Sequence, residues 1–261
     1  EVISAELQNK LKKNGESISP LGISVAKTNC KETVSTAAGI EDYSHALKAF
    51  VEKGIGDYYT INISCPNSYG GEPFTDPRRL EKLLKKVRAL HITQSIFLKL
   101  AADLDKKTLD AIFLLGVQYH IQGFICTNLS KDRNNPALAS GDRKFVQELN
   151  KGGMSGKPVR KASTEMIRYL YKKIQVYKRS NHHVKEIIII GCGGIFTAED
   201  AYEKITAGAS LLQLITGMIY HGPSVLSEIN QGLVKLLKKD GFSNISEAVG
   251  SRNRVKVLMN K

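Results

Sequence analysis

Cysteine is sparse in this chain, and none of it is spaced for a metal or a paired bridge. Cys30, Cys65, Cys126 and Cys192 are scattered and form no C-x-x-C pair. Neither a zinc site nor a disulfide scaffold is implied, and a reducing compartment is the simplest reading. His45, His91, His120, His182, His183 and His221 lack metal-ligand spacing too, and His182-His183 reads as a polar surface loop. No apolar run approaches the roughly 20 residues of a membrane span, and the N-terminal stretch has no apolar signal-peptide block. No early strand is followed by G-x-G-x-x-G, which weighs against a doubly wound dinucleotide-binding sheet. Internal repeats, low-complexity tracts and domain linkers are missing as well. The chain starts at Glu1 rather than Met, so upstream sequence is expected to have been lost or never included.

Acidic residues are in deficit: 38 Lys plus Arg face 25 Asp plus Glu, a net charge of +13. Such a surplus suits nucleic acid, an anionic membrane or anionic small molecules. Its placement argues for solvated helix faces instead, because Lys10, Lys12, Lys13, Lys172 and Lys173 lie beside helical apolar positions. No nucleic-acid partner is therefore expected. With 261 residues and 42% hydrophobic content, the chain can bury the core of one α/β barrel or of two smaller domains.

Short apolar strands alternate with amphipathic stretches. Strands are expected at Leu21–Ala26, Tyr59–Ser64, Ile96–Leu100, Gly123–Thr127, Glu186–Ile190 and Leu211–Leu214. Helical patterns fall near Glu1–Lys13, Glu41–Lys53, Asp76–Leu90, Lys107–Leu115, Thr164–Tyr177 and Ala198–Ala207. Thr197 with Asp200 makes a capping box, and Pro223 suits the first turn of a helix running to about Lys239. Repeated β-then-α units mean a parallel sheet covered by helices. A complete barrel of such units has eight, so six imply a (β/α)8 TIM barrel whose two N-terminal βα units are missing. Residues 1–261 are read as one such domain. The segment Ser130–Ala162, rich in Gly, Lys, Asp and Asn, reads as an active-site excursion.

Chemistry-bearing residues gather at strand ends. In Tyr59-Thr60-Ile61-Asn62-Ile63-Ser64-Cys65-Pro66-Asn67-Ser68 a β-branched run stops at a proline that lacks the N–H a ladder needs. Cys65 can be read as nucleophile, base or core thiol. A free thiol with pKa about 8.5 is within reach of general-base work, whereas Cys126 and Cys192 read as small buried hydrophobes. Lys99, inside Ser95-Ile96-Phe97-Leu98-Lys99-Leu100, either reaches solvent from a strand end or meets an anion. Asn62 and Asn128 near strand ends either form turns or offer amides to a heterocycle. Gly191-Cys192-Gly193-Gly194, Thr216-Gly217 and Gly152-Gly153-Met154-Ser155-Gly156-Lys157 follow successive strands. Any one cluster is a tight turn, but three at strand ends suit a phosphate-bearing cofactor, which barrels often seat after their last two strands.

Taken in order, several runs resemble the dihydroorotate dehydrogenase family: I-N-I-S-C-P-N at 61–67, F-L-K-L-A-A-D-L at 97–104 and C-T-N at 126–128. So do G-G-M-S-G-K-P-V-R at 152–160, I-I-G-C-G-G-I at 189–195 and A-G-A-S-L-L-Q-L-I-T-G at 207–217. The match in order and spacing extends from about Pro20 to Gly250, and G-G-M-S-G-K-P with G-F-S-N-I-S-E-A-V-G is most similar to the class 2, quinone-reducing branch. The resemblance implies an FMN-containing β/α barrel that oxidises (S)-dihydroorotate to orotate in pyrimidine biosynthesis. It implies Cys65 as the base and Asn62, Asn67 and Asn128 on the substrate. Lys99 would stabilise reduced flavin, and Ser24, Thr127, Ser155, Gly156, Leu214 and Ile215 would line the cofactor. Gly193, Gly194 and Thr216 would bind its phosphate.

The chain also departs from the family pattern. Cys65 is the class 1 choice where class 2 usually carries serine, Ser24 replaces a usual asparagine, Leu129 a threonine and Ile215 a tyrosine. The expected acceptor is a quinone, otherwise fumarate or another soluble acceptor. Expected localisation is intracellular, either cytoplasmic or peripheral to an inner membrane (mitochondrial in a eukaryote) through a missing N-terminal segment. Two competing readings are a flavin barrel resembling the tRNA-dihydrouridine synthases, and a non-catalytic barrel fragment.

Overall fold

The computed structural model describes residues 19–65, 69–149, 152–181 and 186–253. The helix expected at 1–13, Asn67 and the His182-His183 pair lie outside them. Two compact units divide the chain, one ending at Gly123 and the other starting at Phe124.

The first unit contains β1 (Gly22–Ala26), α1 (Thr36–Val51), β2 (Tyr58–Asn62), α2 (Pro77–Arg88), β3 (Ser95–Leu100) and α3 (Lys106–Gln118). The three strands are parallel, with Ser24 beside Thr60 and Thr60 beside Phe97, then Ala26 beside Asn62 and Asn62 beside Lys99. Because side chains alternate along a strand, one row carries Ile23, Val25, Tyr59, Ile61, Ile96 and Leu98, all buried. The other row runs through Ser24, Thr60 and Phe97 and ends on Ala26, Asn62 and Lys99. Glycine at position 22 is a matter of space, since a Cβ there would sit 2.1 Å from the Tyr58 ring.

Local rules account for the helices. In α2, Asp76 caps the first turn by accepting from the Arg79 N–H at 3.0 Å, and Pro77 opens the helix where its missing N–H costs nothing. Leu80, Leu83, Leu84 and Val87 then recur at helical spacing and are buried. Lys85, Lys86 and Arg88 occupy the last turn, where positive charge complements the helix dipole.

The second unit contains β4 (beginning at Gly123 and ending at Cys126), α4 (Ser140–Glu148), α5 (Lys157–Ser180), β5 (Ile188–Cys192), α6 (Ala198–Ala207) and β6 (Leu211–Gln213). Three further helices follow: α7 (Thr216–His221), α8 (Val225–Lys239) and α9 (Ile245–Ala248). β5 and β6 are parallel, with Cys192 beside Gln213. The expected capping box is present at α6, Thr197 accepting from the Asp200 N–H while the Asp200 carboxylate accepts from the Thr197 N–H. α6 and α8 bury a shared core of Ile195, Ala201, Tyr202, Ile205, Val225, Ile229 and Leu233. Each large aliphatic there contributes about 1.5–3 kcal/mol.

Three expectations need correction. The excursion expected over 130–162 holds the helix α4 and the first turns of α5, which starts at Lys157 rather than Thr164. Pro158 is harmless in a first turn, so the polar Gly156-Lys157-Pro158 run hides a helix start. Pro223 lies just before α8 rather than in its first turn. Cys192 is half-buried at the end of β5, not a core thiol; Cys126 is buried, and burial pushes its thiol pKa up. Among the described residues, no helix is long and apolar enough to cross a membrane.

Candidate active site

In the first unit the expected residues meet at the C-terminal ends of β2 and β3. Asn62 and Lys99 are register partners, and both are half-buried. Ser64 joins the two strand ends: its hydroxyl lies 2.9 Å from the Lys99 carbonyl and 3.1 Å from Asn62 Oδ1. Its backbone N–H also donates to Asn62 Oδ1 at 3.2 Å, so the NH2 end of that amide is turned away from Ser64. Cys65 follows as a free, half-buried thiol. Ser24 is exposed and sits one same-face position before Ala26, the β1 neighbour of Asn62.

Two residues that the sequence reading missed hold this corner. Tyr43, 1% exposed, donates its hydroxyl to the Asn62 carbonyl at 2.7 Å. Burial pushes the Tyr43 hydroxyl pKa up; the Lys27 backbone partly opposes this, while the charges of Cys65 and Asp42 add to it. Tyr43 therefore stays a proton donor next to Cys65. Lys27, 5% exposed, donates to the Tyr69 carbonyl at 2.9 Å and to Thr33 Oγ1 at 3.2 Å, tying the end of β1 to the chain just after the 65–68 segment. Its signal was a lysine directly following the apolar strand Ile23-Ser24-Val25-Ala26.

The second unit gathers the glycines. The chain after β4 pairs with the Gly152–Ser155 segment through reciprocal bonds, Ser130 N–H to the Met154 carbonyl at 3.0 Å and Met154 N–H to the Ser130 carbonyl at 2.7 Å. Thr127, buried, donates its N–H to the Cys192 carbonyl at 2.7 Å, which brings it beside Gly193. Asn128 Oδ1 accepts from the Leu129 N–H at 3.0 Å, a local turn bond. Thr216, the first residue of α7, has its hydroxyl 3.1 Å from Ser155 Oγ, and a Cβ on Gly156 would meet Thr216 Cγ2 at 3.1 Å.

Gly193 and Gly194 have φ of 113° and 70°, a region that favours glycine. A Cβ on Gly194 would lie 2.4 Å from Arg160 Cβ and 2.7 Å from Arg160 Cα, so this peptide is pressed against the first turns of α5. Arg160 is anchored in turn by Asp200 at 2.5 Å and Glu203 at 3.2 Å. Leu214 packs against the α6–α8 core. Ile215, by contrast, is 60% exposed. Glycine backbone of this kind, beside the start of the 24-residue α5, has the chemistry that suits an anion. Arg160, Ser163 and Lys204 were not anticipated. The clue for Lys204 was its place between the apolar positions Ala201 and Ile205 on a helix.

Comparisons with known proteins bear on the family. A family model described as dihydroorotate dehydrogenase matches residues 1–237. A dihydroorotate dehydrogenase (quinone) of Trichodesmium erythraeum is 36% identical over 90% of this chain and 59% of its own length. The protein of that name from Nostoc punctiforme is 37% identical over 92% and 60%, and that from Haloarcula marismortui 34% identical over 92% and 62%. The chain thus spans about three-fifths of the length of these curated relatives, 59–62%. Among solved structures, a ligand-free DHODH from Eimeria tenella superposes with a TM-score of 0.78 at 25% identity, covering 97% of this chain and 69% of that one. The same organism's DHODH in complex with ferulenol gives 0.79 at 25% identity, covering 97% and 67%. The parallel βα units are part of the β/α barrel that the strand count implied, and the chain belongs to the dihydroorotate dehydrogenase family.

Proposed function

We propose that this chain carries the cofactor- and substrate-binding part of a dihydroorotate dehydrogenase that oxidises (S)-dihydroorotate to orotate, with FMN as its flavin. The observation that carries the cofactor is the second unit's glycine cradle, in which a Cβ at Gly194 would stand 2.7 Å from the backbone of Arg160. A peptide held that close to the start of a helix has no room for a side chain, and bare glycine backbone beside a helix start suits a phosphate. The donors fit the group: Gly193, Gly194 and Thr216 would take the phosphate, with Thr127, Ser155, Gly156, Leu214 and Ile215 along the flavin. In the first unit, Ser24 and Lys99 are the flavin contacts that the family resemblance implies.

Bound FMN would supply the two-electron acceptor for the hydride that leaves substrate C6. Cys65 takes the proton from C5, and its position beyond the end of β2 leaves the thiol half-buried. Asn62, Asn67 and Asn128 hold the substrate's carboxylate and ring amides; fixing Asn62 through Ser64 and Tyr43 sets the direction of its donors. Holding reactants in one geometry removes an entropic part of the barrier. Lys99 places a cation one strand from Asn62, where it would offset the negative charge of the reduced flavin. A quinone is the proposed final acceptor, since the matching relatives carry that word in their names.

The deciding experiment is a visible absorption spectrum of the purified protein, before and after anaerobic addition of dihydroorotate. Flavin bands that bleach support cofactor and substrate together. Bands that persist reject the substrate, and their absence in protein reconstituted with FMN rejects the cofactor.

A further inference from the structure

Lys204 is 0% exposed, and its amine donates to three neutral oxygens: Ser163 Oγ at 2.8 Å, Thr164 Oγ1 at 3.2 Å and the Arg160 carbonyl at 3.4 Å. A methionine would fill the same space without the cost of burying an amine. The placement of its acceptors gives that cost a purpose. Ser163, itself 0% exposed, accepts from Lys204, so its single hydroxyl proton is turned toward the paired carbonyls of Cys126 at 2.9 Å and Cys192 at 2.8 Å. Those carbonyls close β4 and β5. The Cys192 carbonyl also receives the Thr127 N–H. One residue on, a Cβ at Gly193 would touch Val159 at 3.1 Å and Ser163 at 3.6 Å. The Arg160 carbonyl that Lys204 reaches belongs to the residue on which Gly194 is packed.

We propose that Lys204 is a positioning residue for the phosphate cradle: acting through Ser163, it fixes the Cys126 and Cys192 carbonyls and with them the backbone of Thr127, Gly193 and Gly194. The inference rests on the flavin-phosphate reading of the second unit and adds to it the residue that sets the cradle's shape. Lys204 touches neither phosphate nor substrate. Its effect is on the peptide planes that do.

The test compares FMN with riboflavin, which lacks the phosphate, by fluorescence titration of the flavin-stripped full chain. Wild type is expected to prefer FMN. Lys204→Met and Ser163→Ala are each expected to cut that preference by about tenfold, the scale on which loss of an outer-shell partner weakens a bound group, with riboflavin affinity nearly unchanged. Ser163→Ala keeps the amine and removes only the link, so it decides the matter if Lys204→Met does not fold. An unchanged FMN-to-riboflavin ratio in folded variants overturns the proposal, as does an equal loss of both flavins, the mark of a merely structural role. Wild type binding neither flavin would remove the cofactor reading itself and the proposal with it.

Discussion

Asn62 and Lys99 are Cα partners in the parallel register of β2 and β3. They therefore project from the same side of the sheet, about 4.8 Å apart between strands. Ser64 fastens the pair, one hydroxyl reaching both the Asn62 amide oxygen and the Lys99 carbonyl. The amide and the cation proposed to serve substrate and flavin thus share one strand end.

Lys99→Ala removes that cation without disturbing the backbone bond to Ser64, which uses the Lys99 carbonyl. The fold should persist with Tm within a few degrees of wild type. The rate of flavin reduction, followed by stopped-flow absorbance, is expected to fall by about 10²–10³, the scale for loss of one electrostatic stabiliser. An unchanged reduction rate would defeat the role assigned to Lys99.

Cys65→Ala should lower turnover by about 10²–10⁴, the usual worth of a general base, while flavin content measured at 450 nm stays at the wild-type level. Cys65→Ser should retain part of the activity with its pH optimum moved upward, because an alcohol is a weaker acid than a thiol. Normal turnover in the alanine variant would show that another group is the base.

At Gly194, with φ of 70°, a methyl group would meet the Arg160 backbone. At Gly54, with φ of 62°, nothing lies within 4 Å of the same methyl. Gly54→Ala should therefore cost only the left-handed strain, about 1–2 kcal/mol, whereas Gly194→Ala adds overpacking of about 1–3 kcal/mol. Urea denaturation of the two variants measures the difference. Equal losses would mean that the cradle yields to the added carbon.

Burial lowers the Lys204 ammonium from its ordinary 10.5 to about 8; nearby Glu203, Cys192 and Cys126 favour the charged form, and Arg160 opposes it. Between pH 8 and 10.5 the unfolded chain holds a proton that the folded chain has released, so stability rises with pH across that window. The gain is lost as pH falls through 8. Relative to Lys204→Met, wild type should gain up to roughly 3 kcal/mol from pH 7 to 10, since each pKa unit is worth 1.36 kcal/mol. Paired urea curves at pH 7, 8, 9 and 10 would reveal it, and a pH-independent difference would contradict the buried-amine account.

Short-range signals in the sequence carried a large share of this protein's architecture. Thr197 and Asp200 announced α6, whose span Ala198–Ala207 is the expected one, because a capping box is complete within four residues. Strand ends came out within about two residues, since β-branched runs and the residues that stop them are neighbours along the chain. The order of motifs pointed to the family, and with it to Cys65, Lys99 and the glycine clusters. What the sequence did not disclose depends on distant partners. That Tyr43 supports Asn62 from 19 positions away, and that Lys204 reaches Ser163 across 41, follows only from how helices pack on strand ends. Burial of a charged group is likewise a property of its surroundings. The apolar neighbours Ala201 and Ile205 placed Lys204 near a buried helix face, but its three oxygens come within reach only where α5 closes over it.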